Sequence, residues 1–308
     1  MLRGVLLAAS QNRWLRERAP RYGFVRRAVA RFMPGGDVEA ALAAARELRA
    51  RGAGAVLTQL GENLSEAREA LQVRRHYLDL LRRVEETGAD VEISVKPTQL
   101  GLDFSREACE EHLLALAAEA ALLGNWVWVD MESTAYTDAT LDIYGRVRAR
   151  HAFTGMCLQA YLYRTPADLE ALVPLGAGVR LVKGAYREGA DRAYPRKADV
   201  DESYFALART LLAPRARQAG VRAIFATHDT ALIGRIEAHA RAAGLRPADL
   251  EFQMLYGIRP REQARLAAAG YRFRVLVSYG DAWFAWYMRR LAERPANLLF
   301  VLKSLLAR

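Results

Sequence analysis

The chain has 308 residues, 52% of them hydrophobic, with 45 lysines and arginines against 35 acidic residues and a net charge of +10. That length suits one large domain or two small ones. Two cysteines without metal-ligand spacing exclude a disulfide scaffold and fit a reducing compartment, and no apolar run approaches the roughly 20 residues of a membrane span.

The charge is uneven. Met1 to Met33 holds eight arginines and one glutamate, which accounts for +7 of the +10. The same segment carries Leu6, Leu7, Trp14, Leu15, Phe24, Val25, Val29 and Phe32. Residues 1–35 are therefore expected to form a basic N-terminal helical arm. It rests either on an anionic membrane surface or on the domain that follows, with its arginines in water. The Gly4–Ser10 stretch is too short for a signal peptide. No zinc-finger, RNP or clear helix-turn-helix pattern occurs, so no nucleic-acid partner is expected.

Residues 36–308 read as one domain of alternating strands and helices. Short apolar runs predict strands at Ala53–Leu60, Val91–Lys96, Trp126–Met131, Met156–Leu162, Val179–Lys183, Ala223–Thr227, Leu250–Leu255 and Phe273–Val277. Helical patterns lie between them at Glu66–Glu86, Ser105–Leu123, Ala139–Arg150, Asp201–Ala219, Thr230–Ala243 and Pro260–Ala269, with Asp37–Arg51 ahead of the first strand. The connection Tyr163–Gly178 has room only for a small helix. Eight strands joined by helical crossovers predict a parallel sheet, and near-continuous apolar strands are buried on both faces. The count favours a closed (β/α)8 barrel over an open doubly wound sheet.

Several chemistries drop out. Gly52-Ala-Gly54 and Gly176-Ala-Gly178 both lack the third glycine of a dinucleotide fingerprint, and no Walker loop or H-E-x-x-H motif is present. Of five histidines only His228 falls at a strand end, with no second ligand at metal spacing, so no metal is expected.

In a barrel the chemistry sits at the C-terminal ends of the strands. Those ends read Leu60-Gly-Glu62, Lys96, Asp130-Met-Glu132, Gln159-Ala-Tyr161, Lys183-Gly-Ala-Tyr186, Thr227-His-Asp229 and Gln253-Met-Leu-Tyr-Gly257, with Arg180 inside the fifth strand. Burying such a succession of polar groups without a task is costly. After the eighth strand an aromatic helix carries Trp283, Phe284, Trp286 and Tyr287, then Arg289, Arg290 and Glu293. Two permanently charged, planar donor forks beside aromatic rings suit a small carboxylic acid. As neighbours they stand about 100° apart on the helix and approach a carboxylate from different sides. An Arg289–Glu293 pair on a solvated helix face is the plainer alternative.

These strand ends, in this order, resemble the proline dehydrogenase family in its short bacterial monofunctional form. The likeness runs from about Arg31 to Leu306. It is carried by Ile93-Ser-Val-Lys96, Val129-Asp-Met-Glu132, Leu158-Gln-Ala-Tyr-Leu162, Val179-Arg-Leu-Val-Lys-Gly-Ala-Tyr186, Ala226-Thr-His-Asp229, Glu251-Phe-Gln-Met-Leu-Tyr-Gly257 and Arg289-Arg-Leu-Ala-Glu293.

The resemblance implies a distorted TIM-type barrel holding FAD. It implies oxidation of L-proline to 1-pyrroline-5-carboxylate, the first step of proline catabolism, with electrons passed to a membrane quinone. Arg289, Arg290 and Lys96 would hold the substrate carboxylate, and Leu255 and Leu276 would pack by its ring. Asp130 would pair with Lys96 and, with Arg180 near the reactive edge of the flavin, set the field at the reacting atoms. Met131, Gln159, Arg180, Lys183, Gly184, Ala185, Thr227, His228 and Glu293 would line the cofactor, and Glu62 would reach Arg289 as a gate. A separate pyrroline-5-carboxylate dehydrogenase would be the partner for the product. The place of action would be the cytoplasm, with peripheral contact at the inner face of the cytoplasmic membrane.

The ring side departs from the family's usual pattern. Val275-Leu-Val-Ser-Tyr-Gly280 puts Leu276 where a pocket tyrosine is usual, and Trp286 stands where a tyrosine is common. Thr58 replaces a usual aspartate, and Asp281 an arginine. Loss of a phenol changes which ring substituents are tolerated, so hydroxyproline or another cyclic secondary amino acid stays open. A basic barrel without catalysis that binds a membrane or a protein partner is the alternative from another class.

Overall fold

The computed structural model describes residues 31–61, 64–280 and 283. Eight parallel strands close into a barrel in sequence order: β1 Gly54–Gln59, β2 Val91–Val95, β3 Val127–Val129, β4 Thr154–Gln159, β5 Gly178–Val182, β6 Arg222–Ala226, β7 Glu251–Leu255 and β8 Arg272–Tyr279. β8 closes the ring by pairing with β1 from Gly54↔Arg274 to Gln59↔Tyr279. Every residue of β2 and β4 is buried, as strands covered on both faces require.

The helices are α1 Val38–Ala50, α2 Ala67–Thr87, α3 Arg106–Leu122, α4 Thr134–Arg148, α5 Thr165–Leu172, α6 Lys197–Leu212, α7 Pro214–Gln218, α8 Thr230–Ala242 and α9 Pro260–Ala268. Their buried faces keep helical spacing: α2 turns Tyr77, Leu80, Leu81 and Val84 inward. Side chains start several of them. Asp37 accepts from Ala40 N at 2.8 Å, Ser105 from Ala108 N at 3.1 Å and Asp229 from Ala231 N at 3.1 Å.

All eight expected strands are present, with shifted ends. β4 stops at Gln159 rather than Leu162, because Leu162 N turns back to Gln159 O at 3.2 Å. β8 runs two residues past the expected Val277. α4 begins five residues before the expected Ala139, where Glu188 from a distant loop accepts Thr134 N at 2.8 Å and supplies the missing cap. The single helix expected over Asp201–Ala219 is two, because Pro214 holds Ala213 extended at ψ 150°. The small fourth connection is α5 followed by a 3-10 turn, Val173–Leu175.

Of the N-terminal arm, residues 31–35 are described. Phe32 and Met33 are buried, and the carbonyl of Arg31 crosses so close to Gly257 that a Cβ there would lie 1.6 Å from it. The expected membrane contact falls on residues outside the described ones.

A charged network closes the N-terminal end of the barrel interior. Arg222 forks onto Glu251 at 2.8 and 2.9 Å and reaches Glu92 at 2.8 Å, while Arg274 contacts Glu92 at 3.2 Å and Asp90 at 2.6 Å. Trp126 and Trp128 stack 5.5 Å apart beneath Arg222, whose guanidinium lies 4.6 and 5.2 Å from their centroids. Three carboxylates and two arginines offset one another's charge there, and the open mouth lies at the opposite end.

Candidate active site

The strands alternate, so every second residue faces the barrel interior. On β2 these are Glu92, Ser94 and then Lys96 just past its end; on β3 they are Trp128 and then Asp130. Asp130 is the meeting point. Its Oδ1 takes the Arg180 guanidinium and the Ser94 hydroxyl, the latter at 3.0 Å, and its Oδ2 faces Lys96 Nζ at 3.7 Å. Arg180 Nη2 also donates to Ser94 Oγ at 2.8 Å, and its guanidinium lies 5.6 Å from the Trp128 ring centroid.

Arg180 is 3% exposed. Burial works against its charge, but Asp130, Cys157 and Glu92 together outweigh burial and hold its pKa above the ordinary arginine value. Cys157, its register partner on β4, has its thiol pKa raised by burial.

The turn after β2 is held from β3. Glu132, 5% exposed, accepts from Thr98 N at 2.9 Å and Thr98 Oγ1 at 2.8 Å, and Lys96 N donates to Gln99 Oε1 at 3.3 Å. Gln159 Nε2 donates to the carbonyls of Met131 and Glu132 at 2.9 and 2.7 Å. β2, β3 and β4 are thus tied together at the mouth. Two buried atoms of this group, Gln159 Oε1 and Arg180 Nη1, have no hydrogen-bond partner among the described residues.

The other expected residues divide. Met131 and Thr227 are buried at the mouth, and Thr227 Oγ1 accepts from Asp229 N at 3.2 Å. His228 Nε2 accepts from Leu255 N at 2.9 Å, tying the end of β6 to β7. Leu255 and Leu276 are register partners on β7 and β8, both half-buried. Lys183 turns to Asp201 and to Asp229, the latter at 2.8 Å, and Lys197 joins the same two carboxylates. Gly184 has φ 119°, and a Cβ there would lie 2.1 Å from the Tyr161 ring, so the backbone passes flat beneath that ring; Ala185 beside it is exposed. Glu62, Arg289, Arg290 and Glu293 lie outside the described residues.

Reading the strand ends alone passes over Ser94, although the polar residues at 92, 94 and 96 share one face and so point inward together. Glu132 stands among the strand ends without an assigned role there, and its hold on Thr98 comes only from the fold; Lys197 is missed altogether.

Residues 41–303 match the family model described as proline dehydrogenase. The chain belongs to the proline dehydrogenase family. It is 39% identical over 306 residues to proline dehydrogenase 1 of Bacillus subtilis subsp. natto, covering 99% of each chain. It is 35% identical over 283 residues to proline dehydrogenase of Deinococcus radiodurans, covering 90% of this chain and 89% of that one.

Among solved structures it resembles in fold the proline utilization A protein of Bdellovibrio bacteriovorus inactivated by N-propargylglycine. The TM-score is 0.81 at 24% identity, over 87% of this chain. It spans about a third of that longer protein (33%). The two proteins therefore share the barrel fold. No helix among the described residues is long and apolar enough to cross a membrane.

Proposed function

We propose that this protein oxidises L-proline to 1-pyrroline-5-carboxylate with FAD as its cofactor. The observation that carries this reading is the constellation of buried Lys96 and Arg180 on half-buried Asp130 at the mouth of a proline dehydrogenase barrel.

The residues present fit a flavin. An isoalloxazine edge offers both carbonyl acceptors and a ring N–H, and Arg180 Nη1 and Gln159 Oε1 are a buried donor and a buried acceptor left to meet them. The missing side chain at Gly184 makes room for the Tyr161 ring, which fixes the path of the chain after β5. Met131, Thr227, His228, Ala185 and Glu293 would line the same group. Lys183 would act from within its pair with Asp201 and Asp229. FAD, when bound, supplies the two-electron acceptor.

The chain's own residues do the rest. Lys96, with Arg289 and Arg290, holds the substrate carboxylate, and Glu62 closes over Arg289. Cations beside the substrate nitrogen disfavour its ammonium form, so the ammonium gives its proton to water. The freed lone pair can then form the C=N bond as hydride leaves the ring carbon next to nitrogen, on the side away from the carboxylate. Asp130 and Arg180 fix the field at that point. Leu255 and Leu276 exclude water from the ring.

Transfer of electrons to a membrane quinone, uptake of the product by a separate pyrroline-5-carboxylate dehydrogenase, and cytoplasmic residence with peripheral membrane contact through the +7 arm belong to the same proposal. A second reading keeps the reaction and changes the ring. Leu276, half-buried beside Leu255, brings no phenol to the ring side where the family usually has tyrosine, which favours a hydroxylated ring as the alternative substrate.

The test is the absorbance spectrum of the purified protein together with dye reduction by proline, hydroxyproline and acyclic amino acids. A flavin spectrum and selective turnover of proline are expected. A colourless protein that turns over none of them overturns the proposal, and preference for hydroxyproline moves it to the second reading.

A further inference from the structure

Ser94 is fully buried in the middle of β2 and is neither at a strand end nor a charged group. Its hydroxyl nevertheless stands between the two charged groups of the mouth. It accepts from Arg180 Nη2 at 2.8 Å and gives its single proton to Asp130 Oδ1 at 3.0 Å, the shorter of two contacts, the other being Trp128 O at 3.4 Å. A hydroxyl can do both at once. Arg180 Nη2 donates to Asp130 Oδ1 as well, so the three side chains close a triangle.

That triangle has two consequences. Arg180 is held by two acceptors on one nitrogen, which fixes the plane of its guanidinium and leaves Nη1 as a buried donor without a partner among the described residues. Asp130 has Oδ1 committed, which turns Oδ2 toward Lys96 at 3.7 Å. Ser94 itself is anchored from outside the barrel. The Tyr77 hydroxyl on α2 donates to Ser94 O at 3.0 Å and accepts from Gln59 N at 2.8 Å. Its position is thus set by three elements, α2, β1 and β2.

We propose that Ser94 is a positioning residue for the oxidation: its hydroxyl aims Arg180 Nη1 at the flavin and Asp130 Oδ2 at Lys96. This rests on the flavin-dependent reading above. The role needs a group that donates and accepts in the space of one oxygen. Alanine supplies neither bond, whereas threonine keeps both at the cost of one methyl group.

The experiment compares wild type, Ser94→Ala and Ser94→Thr as flavin-loaded full-length proteins. It measures flavin reduction by proline in single turnover, KM, the flavin midpoint potential and the melting temperature. In Ser94→Ala the reduction rate is expected to fall by about tenfold or more, as loss of a hydrogen bond to charged groups does. KM should stay within about threefold of wild type, since no carboxylate contact is removed. The midpoint potential should fall, because a misaimed guanidinium stabilises the reduced ring less. Ser94→Thr should recover most of the rate and the potential.

A Ser94→Ala protein with wild-type rate and potential overturns the role. So does a Ser94→Thr protein that melts like wild type yet is as impaired as the alanine variant. If the wild type carries no flavin and leaves proline untouched, the parent reading fails instead, so the two failures are separate results.

Discussion

Gly155 on β4 leaves the space that the Trp128 ring occupies: a Cβ built there would lie 2.2 Å from one ring carbon and 2.3 Å from the next. The ring is fully buried, donates its indole N–H to Glu92 Oε2 at 2.6 Å, and carries Arg180 over its face at 5.6 Å. One glycine therefore sets the height at which the charged floor of the barrel meets the mouth above it. Gly178, where a Cβ would meet Trp126 at 2.6 Å, does the same for the second ring of the stack.

Gly155→Ala is accordingly expected to lower stability by about 1–3 kcal/mol, the usual range for overpacking a rigid core. Neither Trp128 nor β4 can yield without moving Glu92 or Arg180. Denaturant unfolding of the two proteins reads this directly. A variant of unchanged stability would mean that the ring has room to tilt. The same substitution at Gly88, φ 58° with nothing within 4 Å, tests backbone strain alone and should cost about 1 kcal/mol.

Lys96→Met is expected to raise KM for proline by about tenfold or more, in line with removal of a charged hydrogen-bonding partner worth roughly 1.5–3 kcal/mol. Asp130 keeps Arg180 and Ser94 in the variant, so its carboxylate is not left alone. The maximal rate should change less than KM. A KM within twofold of wild type would remove Lys96 from the carboxylate site. Initial-rate kinetics over a wide proline range decide between these outcomes.

Burial pushes the Cys109 thiol up to about 12 and raises that of Cys157 as well. Thiolate is the reactive form, and these are the two cysteines of the chain. The native protein should therefore take up no iodoacetamide near pH 8 over an hour, and two equivalents after unfolding, as counted by mass spectrometry. Rapid labelling of Cys157 in the native protein would mean that the barrel interior opens to solvent around Arg180.

How much of this is legible in the sequence differs by level. The strands are, because each is a short apolar run that a parallel barrel must bury on both faces. The ring of mouth residues is legible from their order along the chain. The directions of long side chains are not. Lys183 at the end of β5 is equally a group for the mouth and a partner for carboxylates, and only the fold brings Asp201 and Asp229, 18 and 46 residues away, within its reach. The floor network escapes a reading confined to strand ends. Glu92 and Ser94 precede Lys96 by steps of two, so the period of the strand itself places them on the same interior face. Pro214 is legible too: it breaks the long helical pattern after Ala213 in the way any interior proline does.

The cluster of Lys183, Lys197, Asp201 and Asp229 makes a statement about pH. Partial burial alone would raise the Asp229 pKa, but hydrogen bonds from Lys183 and Lys197 outweigh it and hold the carboxyl well below the usual carboxylate range. A depressed folded-state pKa contributes stability that is present above the unfolded value of about 3.9 and is lost as pH falls through the folded one. The loss thus begins near pH 4 and grows below it. Asp229→Asn also removes an oxygen from the start of α8, where Oδ1 accepts from Ala231 N, but an asparagine cap keeps that acceptor. The gap in melting temperature between wild type and Asp229→Asn should therefore be widest near neutral pH and narrow steadily below about pH 4. A gap that stays constant from pH 7 to pH 3 would show that the lysines lend the carboxylate no stabilisation in the folded protein.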